Sequence, residues 1–136
     1  MRANFERGFE MSLSINKTFY EKITTIFKKE NWNAKTFCAL TGLEAIFFTR
    51  MNRPGYKPNI RTLMAVCVAL QLDVLTAANL LKSVGLAFSP ECRVHQAYIF
   101  LLKNCKGMSI GKCNKILLSF KIDKKDLLGT IQRKTK

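Results

Sequence analysis

Residues 33–58, NAKTFCALTGLEAIFFTRMNRPGYKP, decide how this chain folds. They read as two short amphipathic helices joined by a tight turn at Thr41-Gly42-Leu43. Asn33 is placed to cap the first helix by accepting a backbone N–H bond from its opening turn. Phe37, Cys38 and Leu40 give that helix an apolar side, and Gly42 supplies the backbone angle that a sharp turn needs. Leu43 re-enters the core. Phe48 and Met51 stand three apart and so share one face of the second helix. Arg50 and Arg53 follow, and a Pro/Gly-rich stretch closes the unit.

This is the layout of a helix-turn-helix, whose second helix enters the DNA major groove. The stretch TGLEAIFFTRM (41–51), followed by KPNIRTLMAVCVALQL (57–72), resembles the phage-repressor-like (XRE-type) helix-turn-helix family. In that family a T-G-L turn leads into the recognition helix, and a K-P-then-cap-residue run opens the fourth helix, here Lys57, Pro58 and Asn59. The likeness covers about Ile15 to Leu86. A looser one runs through SIGKCNKILLSFKI (109–122), as in bacterial members with extra C-terminal helices. The resemblance implies an all-α fold: a five-helix repressor-like domain followed by two or three further helices.

Reading outward, residues 1–13 are expected to form a flexible arm with Arg2 and Arg7 as its basic groups. The helix-turn-helix domain is expected over 14–86. Its first helix spans about Ile15 to Glu30, where Ile15, Phe19, Ile23, Ile26 and Phe27 follow a helical period. Trp32 closes the corner between the first two helices. Asn59 caps the fourth helix, with Leu63, Val66, Cys67 and Leu70 as its buried face, and Asp73 caps a fifth that stops at Gly85. A C-terminal extension over 87–128 opens with Ser89 as cap and Pro90 at the first helical position. Its apolar stripe is Val94, Ala97, Tyr98, Leu101, Leu102 and Cys105. Ser109 caps a seventh helix carrying Cys113, Ile116, Leu117 and Phe120, and Asp123 starts a short final turn. Residues 129–136 read as a frayed basic tail. The sixth and seventh helices are the candidates for homodimer formation.

Composition narrows the function. The chain has 136 residues and a net charge of +14, from 23 basic against 9 acidic side chains. From Cys92 onward, eleven basic groups face two acidic ones, a local excess of nine. Such a field attracts polyanions, above all nucleic acid; a Lys-rich proteome is the plain alternative. No apolar run approaches the roughly 18 residues of a membrane span. The N-terminus has no apolar h-region, so a cytoplasmic location is expected. Five cysteines without a C-x-x-C pair, and the single His95, speak against a zinc site, a disulfide framework or an activated thiol. No phosphate loop, paired carboxylates, Ser-x-x-Lys or His-Glu motif points to an enzyme, and no cofactor is expected.

The resemblance places candidate DNA contacts at Asn33, Lys35, Glu44, Ala45, Ile46, Phe47, Thr49, Arg50, Arg53, Tyr56, Lys57 and Asn59. The first helices would lean on phosphates, and the start of the recognition helix would meet base edges. The chain departs from the pattern in what it offers there. Ala34 stands where relatives carry Gln, and Ala45, Ile46 and Phe47 stand where relatives carry hydrogen-bonding side chains. Ala and Ile offer only apolar contact to a thymine methyl, so base preference leans on Glu44, Arg50, Arg53 and DNA shape. Each candidate also has a plain reading. Lys35 and Lys57 suit solvated charges, Glu44 favours the helix dipole, and Arg50 suits a pairing within the domain. Tyr98 and Phe100 suit core or dimer packing. An exposed Ile46-Phe47 pair suits a protein interface.

The leading expectation is a transcriptional regulator that binds double-stranded DNA and acts by operator occlusion or recruitment. The alternative is a degenerate helix-turn-helix module, antitoxin- or adaptor-like, that docks a protein partner through the apolar recognition helix. RNA binding through the basic C-terminal region is a third, weaker expectation.

Overall fold

A computed structural model describes residues 17–129. Among them are seven α-helices and no strand: α1 Phe19–Lys29, α2 Ala34–Thr41, α3 Ala45–Met51, α4 Ile60–Ala69, α5 Val74–Ser83, α6 Arg93–Asn104 and α7 Ile110–Ser119, with a 3-10 turn at Lys124–Asp126. The chain is thus all-α. The arm at 1–13 and the tail from residue 130 lie outside the described residues.

Local cap chemistry sets most of these boundaries. The side chains of Asn33, Asn59, Asp73 and Ser109 each accept an N–H from the first turn of the helix that follows, as expected. Asp123 likewise accepts from Lys125 at the 3-10 turn. Asp73 does this from an exposed position, and the backbone N–H of Thr76 holds its carboxyl below the usual carboxylate range.

Among the described residues the first helix begins at Phe19, where Thr18 and Glu21 form a reciprocal capping box; Ile15, expected at its start, lies outside the described residues. The sixth begins at Arg93, with Cys92 as cap rather than Ser89. Ser89 to Cys92 form a turn instead: the Ser89 N–H donates to His95 Nδ1 (2.8 Å), and the Gln96 amide donates to the Pro90 carbonyl.

Helix ends follow one plan. After α1, α4, α5 and α7 an apolar residue (Trp32, Leu72, Leu86 and Ile122) donates its N–H back to a carbonyl in the last turn and folds onto the core. This is the Schellman arrangement with its hydrophobic contact.

The core is centred on α4. Every residue from Thr62 to Val68 is buried, so this helix is enclosed on all sides rather than on one stripe. It touches α2, α5, α6 and α7, and α6 also meets α5. The expected face of Leu63, Val66 and Cys67 is fully buried; Met64, Ala65 and Val68 lie inside too, while Leu70 is half-buried. The apolar core does not stop at residue 86. Tyr98, Leu101, Leu102, Cys113, Leu117, Leu127 and Leu128 belong to the same buried cluster as Ile23, Phe27 and Phe37.

Candidate functional site

The α2–α3 unit is assembled on three phenylalanines. Phe27 of α1, Phe37 of α2 and Phe48 of α3 meet mutually, with ring centroids 6.0 Å apart for Phe27–Phe37 and 5.2 Å for each pair involving Phe48. Trp32 stacks on Phe27 at 5.6 Å and closes the α1–α2 corner. Met51, with no exposed surface, anchors the end of α3. Phe48 and Met51 therefore point inward, as their spacing predicts.

The turn between the two helices is held from inside. Gly42 adopts φ +73°, and the buried Thr41 ties the chain on either side of it. The Thr41 hydroxyl donates to the Phe37 carbonyl (2.7 Å) and accepts the Leu43 N–H (3.0 Å). Thr41→Val keeps the shape and removes both bonds, leaving the Leu43 N–H without its partner in a buried setting. It should lower unfolding free energy by about 1–3 kcal/mol, read from urea denaturation. An unchanged midpoint would mean that the hydroxyl is dispensable to the turn.

With that inner face fixed, α3 leaves a defined outer ridge. Ala45, Ile46, Thr49, Arg50 and, just past the helix, Arg53 are exposed, Ile46 to 45%. Phe47 is half-buried, and the Arg50 guanidinium lies over its ring at 5.5 Å from the centroid. That contact stiffens the arginine without removing it from solvent. Glu44 is the N-cap residue of α3, but its carboxylate makes no capping hydrogen bond.

The other candidates are distributed differently. Lys35 is exposed on the first turn of α2. Asn33 and Asn59 use their side-chain oxygens as caps, on the Thr36 and Thr62 N–H groups. Tyr56 and Lys57 line a small groove of about 170 Å³ with Thr18, Phe19, Tyr20 and Ser83, which sets them beside the start of α1. So the candidates on and just after α3 form one surface, the two asparagines serve the fold, and Tyr56 and Lys57 line the groove beside the start of α1.

Sequence reasoning missed a second constellation behind the α2–α3 turn. The backbone of Asp126–Gly129 is gripped by three helices. Tyr98 of α6 donates its hydroxyl to the Asp126 carbonyl (2.7 Å), and its burial raises the phenol well above its ordinary pKa. Arg61 of α4 donates from Nε to the Leu127 carbonyl and from Nη2 to the Gly129 carbonyl. Asn114 of α7 pairs with Leu128 in both directions: Nδ2 donates to the carbonyl (3.0 Å) and Oδ1 accepts the N–H (2.8 Å). Gly129, at φ +78°, lies against the α2–α3 turn so closely that a Cβ would stand 3.0 Å from the Thr41 oxygen and 3.1 Å from that of Gly42. Asn114 was the legible member of this set. It sits four residues after Ile110 and three before Leu117, a polar side chain on an apolar stripe.

The α6–α7 surface expected to form a dimer keeps some apolar area outside. Phe100 and Leu118 are its large exposed side chains, and Phe100 meets Phe120 edge to face at 5.1 Å. Arg93 donates to the Phe120 carbonyl across the neighbouring groove.

Among the described residues, no group of three or more His, Cys, Asp or Glu side chains is placed to hold a metal, and no helix is long and apolar enough to cross a membrane. Cys67, Cys105 and Cys113 are buried, and burial pushes the Cys113 thiol up to about 11, in the direction that keeps it protonated and unreactive. The chain matches no family profile, and no curated protein or solved structure is significantly similar to it.

Proposed function

We propose that the chain is a DNA-binding regulator of the phage-repressor-like helix-turn-helix class, with α2 and α3 as the motif and α3 as the helix that enters the major groove. The observation that carries this reading is the two-sided character of α3. Its inner face is locked by Phe48 and Met51, and its outer ridge of Ala45, Ile46, Thr49 and Arg50, continued by Arg53, is left to solvent. A short helix held rigidly from behind and bare in front suits insertion into a groove about 12 Å wide.

Arg50 and Arg53, with Lys35 and the large cationic excess, would supply affinity by releasing counterions from DNA phosphates. Base discrimination would come from Arg50, Arg53 and apolar contacts of Ala45 and Ile46 to thymine methyls, supplemented by DNA shape. The protein would act by occlusion or recruitment at a promoter, without catalysis, and as a homodimer on two-fold sites. Titration of labelled duplex DNA at several salt concentrations tests this. The expected result is tight binding at low salt that weakens steeply and log-linearly as salt rises. Absence of binding at low salt would end the proposal, and binding indifferent to sequence would reduce it to a non-specific DNA coat.

One observation favours a second reading. Ile46 is nearly half exposed beside the partly exposed Phe47, on the same ridge. An apolar ridge of that kind suits a helix that docks into a protein groove. A module of this type would bind a toxin or adaptor protein instead of an operator.

A further inference from the structure

We propose that the groove between α6 and the end of α7 binds a short acidic segment of a partner protein, seating its apolar side chains against Phe100 and Phe120 and its carboxylates on the cationic rim. The proposal concerns a surface that the DNA reading does not use, and it stands whether or not α3 enters a groove of DNA.

The site has an apolar floor and braced walls. It encloses about 310 Å³, lined by Arg93, Gln96, Ala97 and Phe100 of α6 and by Phe120 and Ile122 just after α7. Ala97 and Ile122 are buried and form the floor, whereas Phe100 is 39% exposed and forms a wall. Phe100 meets the Phe120 ring edge to face at 5.1 Å, and Arg93 donates to the Phe120 carbonyl (2.6 Å). The Gln96 amide is tied to the Pro90 carbonyl. A groove held in shape by its own contacts binds with little ordering cost.

Its rim is cationic. On α6 the exposed residues Arg93, Gln96, Phe100 and Lys103 follow a three-four-three spacing and share one face. An aromatic ring thus stands between two cations about 15 Å apart along the helix. Lys121, between the lining residues Phe120 and Ile122, is exposed as well. From Cys92 to Gly129 the chain carries eight basic against two acidic side chains, an excess of six. The acidic pair is Asp123 and Asp126, and Asp123 already accepts the Lys125 N–H.

That charge selects the occupant. A second copy would set the same cationic face against itself, which works against association. A DNA duplex matches the charge but offers no flexible apolar side chain for the floor. An acidic segment with aliphatic or aromatic anchors matches both, and a volume at the low end of ligand sites suits such anchors better than a folded surface.

The test selects binders to the full chain from a displayed library of random short peptides and measures the best of them by fluorescence anisotropy. Selected sequences should place Leu, Phe or Trp between Asp and Glu. Phe100→Ala should weaken such a peptide about 10- to 30-fold, as for a truncated anchor. Lys103→Gln with Lys121→Gln should weaken it about 3- to 10-fold at low salt. This second variant alters only exposed side chains and leaves the floor whole, so it reads the rim even where Phe100→Ala disturbs folding. Arg50→Ala with Arg53→Ala, on the α3 ridge, should leave peptide affinity unchanged. An empty selection overturns the proposal, as does selection of basic or neutral peptides. So does affinity indifferent to both groove variants, the signature of diffuse attraction to net charge, or affinity lost in the α3 variant instead. A parent that sediments as a dimer and becomes monomeric with Phe100→Ala also overturns it, because a second copy then fills the groove. A single-stranded oligonucleotide that displaces the peptide and is itself lost with Phe100→Ala assigns the groove to nucleic acid and overturns it equally.

Discussion

Asn114→Leu should cost the fold about 3 kcal/mol and lower Tm by roughly 10 °C. Leucine keeps asparagine's heavy-atom skeleton, so the loss is chiefly one of hydrogen bonding, with some overpacking from its bulkier methyl groups at this buried position. It comes from the Leu128 backbone, whose N–H and carbonyl both bond to Asn114 and lie in a residue with no exposed surface. Stranding a buried donor or acceptor costs about 1–3 kcal/mol each, partly offset by the better burial of an apolar side chain. Asn114→Asp gives the companion measurement. An ionised carboxylate accepts the Leu128 N–H but cannot donate to its carbonyl, whereas a protonated one does both. The relative stability of this variant should therefore rise as pH falls. The parent should move the opposite way: the folded Asp73 carboxyl is depressed, so its stabilisation is present at neutral pH and fades in acid. Thermal unfolding followed by circular dichroism reads both effects. A Tm within about 2 °C of the parent for Asn114→Leu would show that the Asp126–Gly129 segment is not held by this residue.

That grip also marks what the sequence could not tell. Caps are local chemistry, a side chain bonding an N–H two or three residues ahead, so Asn33, Asn59, Asp73, Ser109 and Asp123 were legible one by one. Ser89-Pro90-Glu91 carries the same local signal and fails because His95 and Gln96 reach back and hold that stretch as a turn. A contact six residues away outweighed the propensity. The enclosure of α4 was half legible. Periodicity identified Leu63, Val66 and Cys67, but burial of Met64, Ala65 and Val68 comes from helices packed on the opposite side, which no short window contains. Arg61 was hidden for another reason. A cation at the first turn of a helix reads as solvated, and only the approach of Leu127 and Gly129, more than sixty residues later, turns it into an internal clamp. Within the candidate site, the outward set on α3 was legible from helical spacing alone, because Phe48 and Met51 fix which side is inner. Asn33 and Asn59 carry a local cap signal that the structure bears out, and both also stand among the DNA candidates. A side-chain oxygen that already accepts a helix N–H has less to offer a phosphate or a base.

The two readings of the α3 ridge separate in a pair of double variants. Arg50→Ala with Arg53→Ala should weaken duplex binding about 10- to 100-fold, since each arginine removed from a phosphate or base edge is worth about 1 kcal/mol or somewhat more. The salt slope should fall by about 1.8 if both contact phosphates. Stability should fall by less than about 1 kcal/mol, because both side chains are exposed and the interaction removed is the packing of Arg50 over the Phe47 ring. Ile46→Ala with Phe47→Ala makes the opposite cut. It removes the apolar ridge and keeps both charges, so DNA affinity should drop no more than a few-fold, the scale of missing methyl contacts. A protein partner docked on that ridge would instead lose its anchors, and truncated anchors of this size cost about 2 kcal/mol or more each. The discriminating outcome is therefore a crossing of effects: charge removal weakening DNA binding by at least about 10-fold while ridge removal largely spares it supports a groove-bound helix. DNA binding indifferent to both pairs would remove α3 from the interface altogether, because no other feature of that helix faces outward with comparable charge or surface.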